Sequence, residues 1–187
     1  EEGKNPLFNT IEIGNDEGMF AVDQKTGVLR PSKVLDRERR AYYSLTVSAV
    51  DSGRRSGSHL RKGTAIVNIR ILDNNDNDPM FNTSSMVVVF DENRSQNSVV
   101  CTVHATDADA GDNGYVTYSL ANLHPVPFNI DHFTGEIRTT EVLDYETMRR
   151  DYLLRVRASD WGSPYRRQAE MTVQFKLQDI NDHSPLF

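Results

Sequence analysis

Cysteine is almost absent from this chain of 187 residues, which contains only Cys101. A single thiol cannot form an internal disulfide, so the class of small domains held together by a disulfide framework is excluded. Cys101 lies in residues 98–103, a run typical of a β-strand, where a lone cysteine usually packs as a small hydrophobic side chain. Bound metal is one alternative way of stiffening a module of this kind.

The chain also lacks long hydrophobic runs and an excess of positive charge. No apolar run approaches the roughly 18 residues that a membrane-spanning helix needs. Any membrane anchor is therefore expected to lie outside this chain. The formal net charge is −6, from 21 basic and 27 acidic residues. Nucleic acid and anionic membrane surfaces are disfavoured as partners by this balance.

What the chain does contain is one sequence pattern that occurs twice. The run DNNDN at residues 73–77 recurs as DINDH at 179–183, and LDRE at 35–38 recurs as LDYE at 143–146. The repeat is about 107 residues long, a usual size for one domain. We predict a first repeat over residues 1–78 and a second, complete repeat over 79–187. Two full repeats need more residues than the chain has, so the first is expected to lack its opening strands.

The periodicity of the sequence is that of β-strands. Alternating apolar and polar residues predict strands over 43–50, 64–72, 152–158 and 169–177. Turn signals such as Thr26-Gly27 and Asn113-Gly114 separate the predicted strands, and no segment carries a sustained helical stripe. The pattern predicts an all-β fold of sandwiches with Greek-key connections, with about seven strands in a complete repeat.

Carboxylate and amide side chains are concentrated where one repeat follows the other. These oxygens are the hard ligands that Ca²⁺ prefers, and an ion with six to eight ligands needs donors from several chain segments. Without a cation such a cluster is repulsive, since two like charges about 4 Å apart interact by roughly 4 kcal/mol at an effective dielectric of 20. The repeated motifs therefore predict calcium bound between modules.

Four motifs together resemble those of one known protein family. The chain resembles tandem extracellular cadherin repeats in its LDRE and LDYE motifs, the DxNDN connector, DADAGDNG at 107–114 and DxxTG at 23–27 and 131–135. The resemblance covers nearly the whole chain and implies tandem Greek-key Ig-like β-sandwiches. Trp161 lies in a turn rather than at the amino terminus of a repeat. This position favours internal repeats of a non-classical member, atypical or protocadherin-like.

The resemblance also implies three Ca²⁺ ions at the junction between the repeats. The implied ligands of the first ion are Asp36, Glu38 and Asp76; of the second, Glu38, Asp73, Asp76 and Asp109 with the Asn74 carbonyl; of the third, Asn75, Asp107, Asp109 and Asp160 with the carbonyls of Asn77 and Asn113. Half of a further junction is implied at the far end by Glu92, Asp144, Glu146, Asp179 and Asp182.

One ligand of the family pattern is missing from the first repeat. The family places a glutamate near the start of each repeat, where it bridges the first two ions. Glu92 takes this role in the second repeat, whereas the counterpart in the first repeat lies outside the chain. We therefore expect a well-formed third ion site, and weaker first and second sites, in this fragment.

The resemblance implies a segment of a cell-surface protein that mediates calcium-dependent adhesion between cells. It would lie on the extracellular side of the plasma membrane, in a single-pass protein anchored through other regions. The implied partners are other cadherin ectodomains, homophilic or heterophilic. A passive calcium-stiffened spacer is the main alternative. A metal-dependent hydrolase is disfavoured, because no nucleophile–base pair accompanies the carboxylates, and no enzyme activity is expected. Two sequons, at Asn82 and Asn93, are candidate glycosylation sites.

Overall fold

A computed structural model of the chain describes residues 7–51 and 61–182. Residues 1–6, 52–60 and 183–187 lie outside the described part, and His183 of the DINDH motif is among them. The chain divides into two compact units, Glu1–Asp73 and Asn74–Phe187. Within the described ranges, no helix is long and apolar enough to cross a membrane.

The first unit is built from five described strands. The strands β1 and β4, and then β4 and β5, pair antiparallel in the order β1-β4-β5, and β2 pairs with β3 as a separate hairpin. The unit's small core lies between them, where the ring of Phe20 meets Tyr43 edge-to-face at 5.0 Å and Leu45 is fully buried. The strand bounds are β1 Leu7–Ile13, β2 Phe20–Val22, β3 Leu29–Pro31, β4 Tyr42–Asp51 and β5 Lys62–Arg70.

The repeated DxxTG element is the turn of a β-hairpin in both units. In the first unit the Asp23 carboxylate accepts hydrogen bonds from the backbone N–H of Lys25 at 3.0 Å and of Thr26. The hydrogen bonds from Thr26 hold the pKa of Asp23 below its usual value. Gly27 follows at φ 73°, in the left-handed region that favours glycine, and Gly135 repeats this at φ 72°. The motif is thus explained by local turn chemistry.

The second unit contains nine described strands in two main sheets. One sheet has the order β10-β13-β14-β7, in which β7 runs parallel to β14 and the other pairs are antiparallel. The other has the order β11-β12-β8, and β6 and β9 form a short antiparallel pair. The bounds are β6 Met80–Phe81, β7 Ser85–Asp91, β8 Val99–Thr102, β9 Ala105–Thr106, β10 Thr117–Leu120, β11 Phe128–Ile130, β12 Glu136–Thr139, β13 Asp151–Ser159 and β14 Gln168–Gln178, with a 3₁₀ turn at Gly111–Gly114.

Strict alternation along the long strands creates the core of the second unit. Successive side chains of a strand point to opposite faces, so β13 and β14 each bury every second residue. Leu154, Val156 and Phe175 are fully buried, and Phe128 stacks on Phe175 with ring centroids 4.7 Å apart. These contacts hold the ends of the strands, and the loops after them, in fixed positions.

The all-β prediction is confirmed, and the four strands named from periodicity correspond to β4, β5, β13 and β14. Cys101 lies half-buried in β8, beside the core of the second unit. Burial raises the pKa of its thiol to about 11, so the thiol stays protonated near neutral pH. This environment agrees with a packing role for Cys101.

Candidate metal sites

Three segments of the second unit bring acidic and amide side chains together at its amino-terminal end. Asn75 precedes the first strand of the unit, Asp107 follows β9, Asp109 precedes the 3₁₀ turn, and Asp160 directly follows β13. We call these four residues the amino-terminal cluster. They are the side-chain ligands predicted for the third ion, and the sheets that flank them decide where each one lies.

Asp160 is the buried centre of the amino-terminal cluster. Its side chain is 0% exposed. Its carboxylate accepts hydrogen bonds from the backbone N–H of Gly162 at 2.9 Å and of Arg167 at 3.0 Å. Both donors are backbone groups of the loop from β13 to β14. Among the residues that the structure describes, the hydrogen bonds to this carboxylate therefore come from backbone N–H groups and not from a basic side chain.

Asp109 is also buried, at 8% exposed. Both of its carboxylate oxygens accept hydrogen bonds from Asn77, one from the backbone N–H at 3.1 Å and one from the side-chain amide at 2.6 Å. The same amide of Asn77 donates to Asp76 at 3.0 Å, and oxygens of Asp76 and Asp109 lie within 4.8 Å of each other. The connector thus adds a further carboxylate next to the cluster.

Two buried oxygens of the amino-terminal cluster have no hydrogen-bond donor. They are the Asn75 side-chain oxygen and one carboxylate oxygen of Asp107, and neither has a partner among the described residues. A buried acceptor left without a partner costs about 1–3 kcal/mol, so such atoms require an explanation. Hard oxygen donors in this state are what Ca²⁺ coordinates. The residues fit a calcium ion.

Electrostatics at Asp107 support the same interpretation. Burial raises the pKa of this carboxyl above its usual value, and the negative charges of Asp109 and Asp160 raise it further. A hydrogen bond from the backbone N–H of Asp109, at 2.9 Å, acts in the opposite direction but does not outweigh them. The cluster therefore has an excess of negative charge, which a divalent cation would offset.

Asn74 of the connector and Asn113 of the 3₁₀ turn are two of the three residues predicted to contribute backbone carbonyls. The Asn74 carbonyl accepts the backbone N–H of Asp76 at 2.9 Å. Asn113 lies in the 3₁₀ turn, where its side-chain oxygen accepts the N–H of Ser163 at 3.4 Å. The end of this turn lies so close to Asp109 that a Cβ on Gly114 would be 2.1 Å from the Asp109 carbonyl oxygen. A residue with no side chain is therefore required beside the cluster.

Sequence reasoning missed the residues that hold Asn75 in place. The Arg167 guanidinium donates to the Asn75 carbonyl at 2.9 Å and to the Asp78 carboxylate at 2.8 Å. The Asn75 side-chain amide donates to the Tyr165 carbonyl at 2.8 Å. Arg167 lies 92 residues after Asn75, so no local motif connects them. Only its position in the loop between β13 and β14 brings it to the connector.

Gly162→Ala is expected to weaken calcium binding at the amino-terminal cluster roughly 10-fold, the scale at which supporting groups affect metal affinity. A Cβ at residue 162 would lie 2.0 Å from the Asn75 amide nitrogen, so Asn75 must turn away. Because the end of a side chain can yield, the melting temperature in chelator should stay unchanged. Calcium titration by calorimetry measures the first effect, and thermal melts measure the second.

Gly63→Ala is the matched control for this substitution. A Cβ there meets nothing within 4 Å, and Gly63 lies in β5 of the first unit. Calcium affinity should match that of the unaltered chain. An unchanged affinity in Gly162→Ala as well would remove Asn75 from the ligand set.

Three of the predicted ligands lie in the first unit: Asp36, Glu38 and Asp73. Arg37 contacts the carboxylate of Glu38 at 2.5 Å and also that of Asp73. Asp36 accepts the backbone N–H of Arg39 at 3.0 Å and closes the turn that contains LDRE. Two predicted ligands, Glu38 of the LDRE motif and Asp73, thus contact one guanidinium, and a cation bound here would share both carboxylates with Arg37.

A second acidic group lies at the other end of the second unit. Carboxylate oxygens of Glu92, Glu146 and Asp179, which we call the carboxy-terminal cluster, lie within 4.8 Å of one another. Glu92 is 2% exposed, and its two oxygens accept the backbone N–H groups of Tyr145 at 2.7 Å and Ile180 at 2.8 Å. These bonds join the end of β7, the LDYE motif and the DINDH connector at one point.

The other two predicted ligands at this end have separate partners. Asp144 accepts the backbone N–H groups of Glu146 at 2.8 Å and Thr147 at 3.2 Å, and the hydrogen bond from the Thr147 side chain is the main reason that the pKa of Asp144 is lowered. Asp182 accepts the side-chain amide of Asn93 at 2.6 Å. The three-membered cluster does not include either of them.

Tandem all-β repeats with acidic motifs at their ends define a class of repeat protein. Comparisons with known proteins identify the family within this class. The cadherin domain model matches residues 3–72 and 86–178. The chain therefore belongs to the cadherin family. Cadherin repeats of this kind are not enzymes, which confirms the prediction that the chain has no catalytic function.

Relatives and solved structures place the chain among non-classical cadherins, as predicted. It is 46% identical over 186 residues to the Fat-like cadherin-related tumor suppressor homolog of Drosophila melanogaster, and 43% identical over 168 residues to human Protocadherin Fat 1. These matches include 99% and 90% of this chain but only 4% of each relative's length. Mouse cadherin-23 EC22–24 superposes with a TM-score of 0.85 at 28% identity, over 97% of this chain and 57% of that structure.

Proposed function

We propose that this chain is a calcium-binding segment of an extracellular adhesion protein, in which bound Ca²⁺ ties consecutive cadherin repeats together and stiffens their connection. One observation carries the proposal: buried oxygens of Asn75 and Asp107 have no donor among the described residues, beside the buried carboxylates of Asp109 and Asp160. Carboxylates placed this close repel one another, and a bound Ca²⁺ ion offsets the repulsion because it attracts each of them.

The proposal divides the chain into repeats 1–78 and 79–187, with the connector between them contributing ligands. The sequence motifs, and the amino-terminal and carboxy-terminal clusters of the second unit, support the ligand set. The proposed calcium ligands are Asp36, Glu38, Asp73, Asn74, Asn75, Asp76, Asn77, Asp107, Asp109, Asn113 and Asp160 around the connector, and Glu92, Asp144, Glu146, Asp179 and Asp182 at the far end.

The chemistry of these sites suits the outside of a cell. Extracellular calcium modules commonly bind with dissociation constants of about 10⁻⁴–10⁻³ M, so they are occupied there and lose their ions to chelators. We place the chain in the ectodomain of a single-pass surface protein whose membrane anchor lies in other regions. Other cadherin ectodomains are the proposed partners, homophilic or heterophilic.

Calcium is expected to narrow the range of conformations that the two-repeat chain samples, because ions held by ligands from both repeats restrict the connector. Small-angle scattering at about 5 mM calcium, within the range that fills extracellular sites, and again in chelator, measures this. The Glu170→Gln variant, altered at an exposed carboxylate outside the clusters, should respond as the unaltered chain does. Identical profiles in calcium and chelator would count against stiffening.

Sedimentation under the same two conditions separates adhesion from the spacer alternative. Self-association that appears only with calcium supports homophilic recognition by these repeats. A monomer in both conditions, with calcium still bound, favours a spacer or a heterophilic partner. The distinction matters because the family relationship alone supports both functions.

A further inference from the structure

The structure separates two glycosylation sequons that are equivalent in sequence. An asparagine followed two positions later by serine or threonine, with no proline between, is an acceptor for N-linked glycan in the secretory pathway. Asn82-Thr83-Ser84 and Asn93-Arg94-Ser95 both satisfy this rule. We propose that Asn82 carries an N-linked glycan and that Asn93 does not. The proposal rests on the extracellular location that is part of the proposed function.

Asn82 lies where a glycan can be attached without disturbing the fold. It stands between β6 and β7, and the side chains of residues 82–85 are all exposed. No described residue forms a hydrogen bond with its side-chain amide, so none is lost when a sugar replaces one of the amide hydrogens. The sequon's Ser84 is exposed as well, and its backbone carbonyl accepts the N–H of Thr172 at 3.0 Å.

Asn93 is also exposed, but its side chain is already engaged. Its side-chain nitrogen donates to the Asp182 carboxylate at 2.6 Å, a charge-assisted hydrogen bond of the stronger kind. Its backbone has φ 56°, in the left-handed region, and it follows Glu92, which is 2% exposed in the carboxy-terminal cluster. A glycan on that nitrogen would compete with this bond and would place a bulky group beside carboxylates that we propose as calcium ligands.

The position of Asn82 gives a glycan there a physical consequence. The strand β7 begins at Ser85 and is the outer strand of the β10-β13-β14-β7 sheet. Its exposed side chains include Val87 and Val89, at 59% and 57%. An outer strand with apolar side chains invites pairing with another chain, and natural proteins cover or charge such strands. A bulky, hydrophilic glycan at the start of β7 would hinder that approach.

The test expresses the full chain behind a cleavable signal peptide in animal cells, so that it enters the secretory pathway whatever its native location. Glycans are then counted by gel shift after peptide N-glycosidase treatment. Peptide mass spectrometry locates the aspartate that the enzyme leaves behind. The unaltered chain should carry one glycan, at Asn82. Asn82→Gln and Ser84→Ala should carry none, whereas Ser84→Thr and Asn93→Gln should each carry one.

Each other outcome overturns the proposal. A chain without glycan, a chain with two, or one modified only at Asn93 contradicts the assignment. Calcium titration of chain produced in bacteria, which lacks glycan, tests the proposed function separately. A bacterial chain that binds calcium while the animal-cell chain lacks a glycan at Asn82 would retain the calcium site and reject the glycan.

Discussion

Asp160→Asn is expected to reduce calcium affinity at the amino-terminal cluster by at least about 10-fold, because ligand charge sets the affinity of such sites over several decades. The asparagine oxygen can still accept the N–H groups of Gly162 and Arg167 that Asp160 accepts. The substitution therefore removes one charge while it retains the loop between β13 and β14. A donor nitrogen then faces the other acidic side chains in place of a carboxylate oxygen.

Fluorescence of Trp161 is a direct measurement of this effect. It is the single tryptophan of the chain and lies next to Asp160, with its ring centroid 5.2 Å from that of Tyr115 in an edge-to-face contact. Calcium titrated into the unaltered chain should change its emission with a single binding curve. In Asp160→Asn the midpoint should move to higher calcium.

Glu170→Gln is the control for the change in charge. It makes the same chemical change on the exposed face of β14, where Glu170 pairs with Arg155 and Arg157. Exposed ion pairs contribute little to stability, so its calcium midpoint and melting temperature should remain close to those of the unaltered chain. An Asp160→Asn chain that binds calcium as tightly as this control would refute the proposed site.

Calcium is expected to raise the melting temperature of the second unit by about 6 °C for each ion bound, at a calcium concentration of about ten times the dissociation constant of that site. Binding to the folded form alone contributes roughly 1.4 kcal/mol under that condition. A domain of about 100 residues shifts by about 4 °C for each kcal/mol. The denatured chain lacks the assembled cluster, since its ligands come from segments as far apart as Asn75 and Asp160.

Melting followed by Trp161 reports on the second unit alone, because that residue lies within Asn74–Phe187. Chelator should abolish the increase. Magnesium at the same concentration should produce a smaller one, because it requires near-ideal octahedral geometry at shorter distances and loses its waters reluctantly. Equal stabilisation by sodium chloride at matched ionic strength would indicate general charge screening in place of a bound ion.

The strands were predictable because their signal is local. Successive side chains of a strand point to opposite faces of the sheet. Alternation of apolar and polar residues in the sequence therefore matches alternation of buried and exposed side chains along β13 and β14. The DxxTG turns were predictable for a similar reason. The side chains of Asp23 and Asp131 bond the N–H groups of residues two and three positions later, with a glycine in the left-handed region after them.

The motifs predict which residue types serve as ligands, but the individual environments of those residues were not predictable from the sequence. The sequence does not distinguish three of them, because Asp107, Asp109 and Asp160 are all acidic residues of predicted loops. In the fold, Asp160 accepts hydrogen bonds from backbone N–H groups and Asp109 accepts them from Asn77. One oxygen of Asp107, in contrast, has no donor in the described part of the chain. Which oxygens are satisfied depends on loops that meet across the end of the sheets, and no short stretch of sequence encodes that.

By itself, the sequence determined the repeat length, the all-β class and the residue types that gather at each repeat end, because periodicity and motif spacing are properties of the chain alone. Tertiary structure alone decided that Arg167 supports Asn75, that Glu92 is buried between the LDYE motif and the DINDH connector, and that the asparagines of the two sequons differ in hydrogen bonding. The physical reason is that hydrogen bonding and desolvation depend on neighbours distant in sequence, which only the packed sheets bring together.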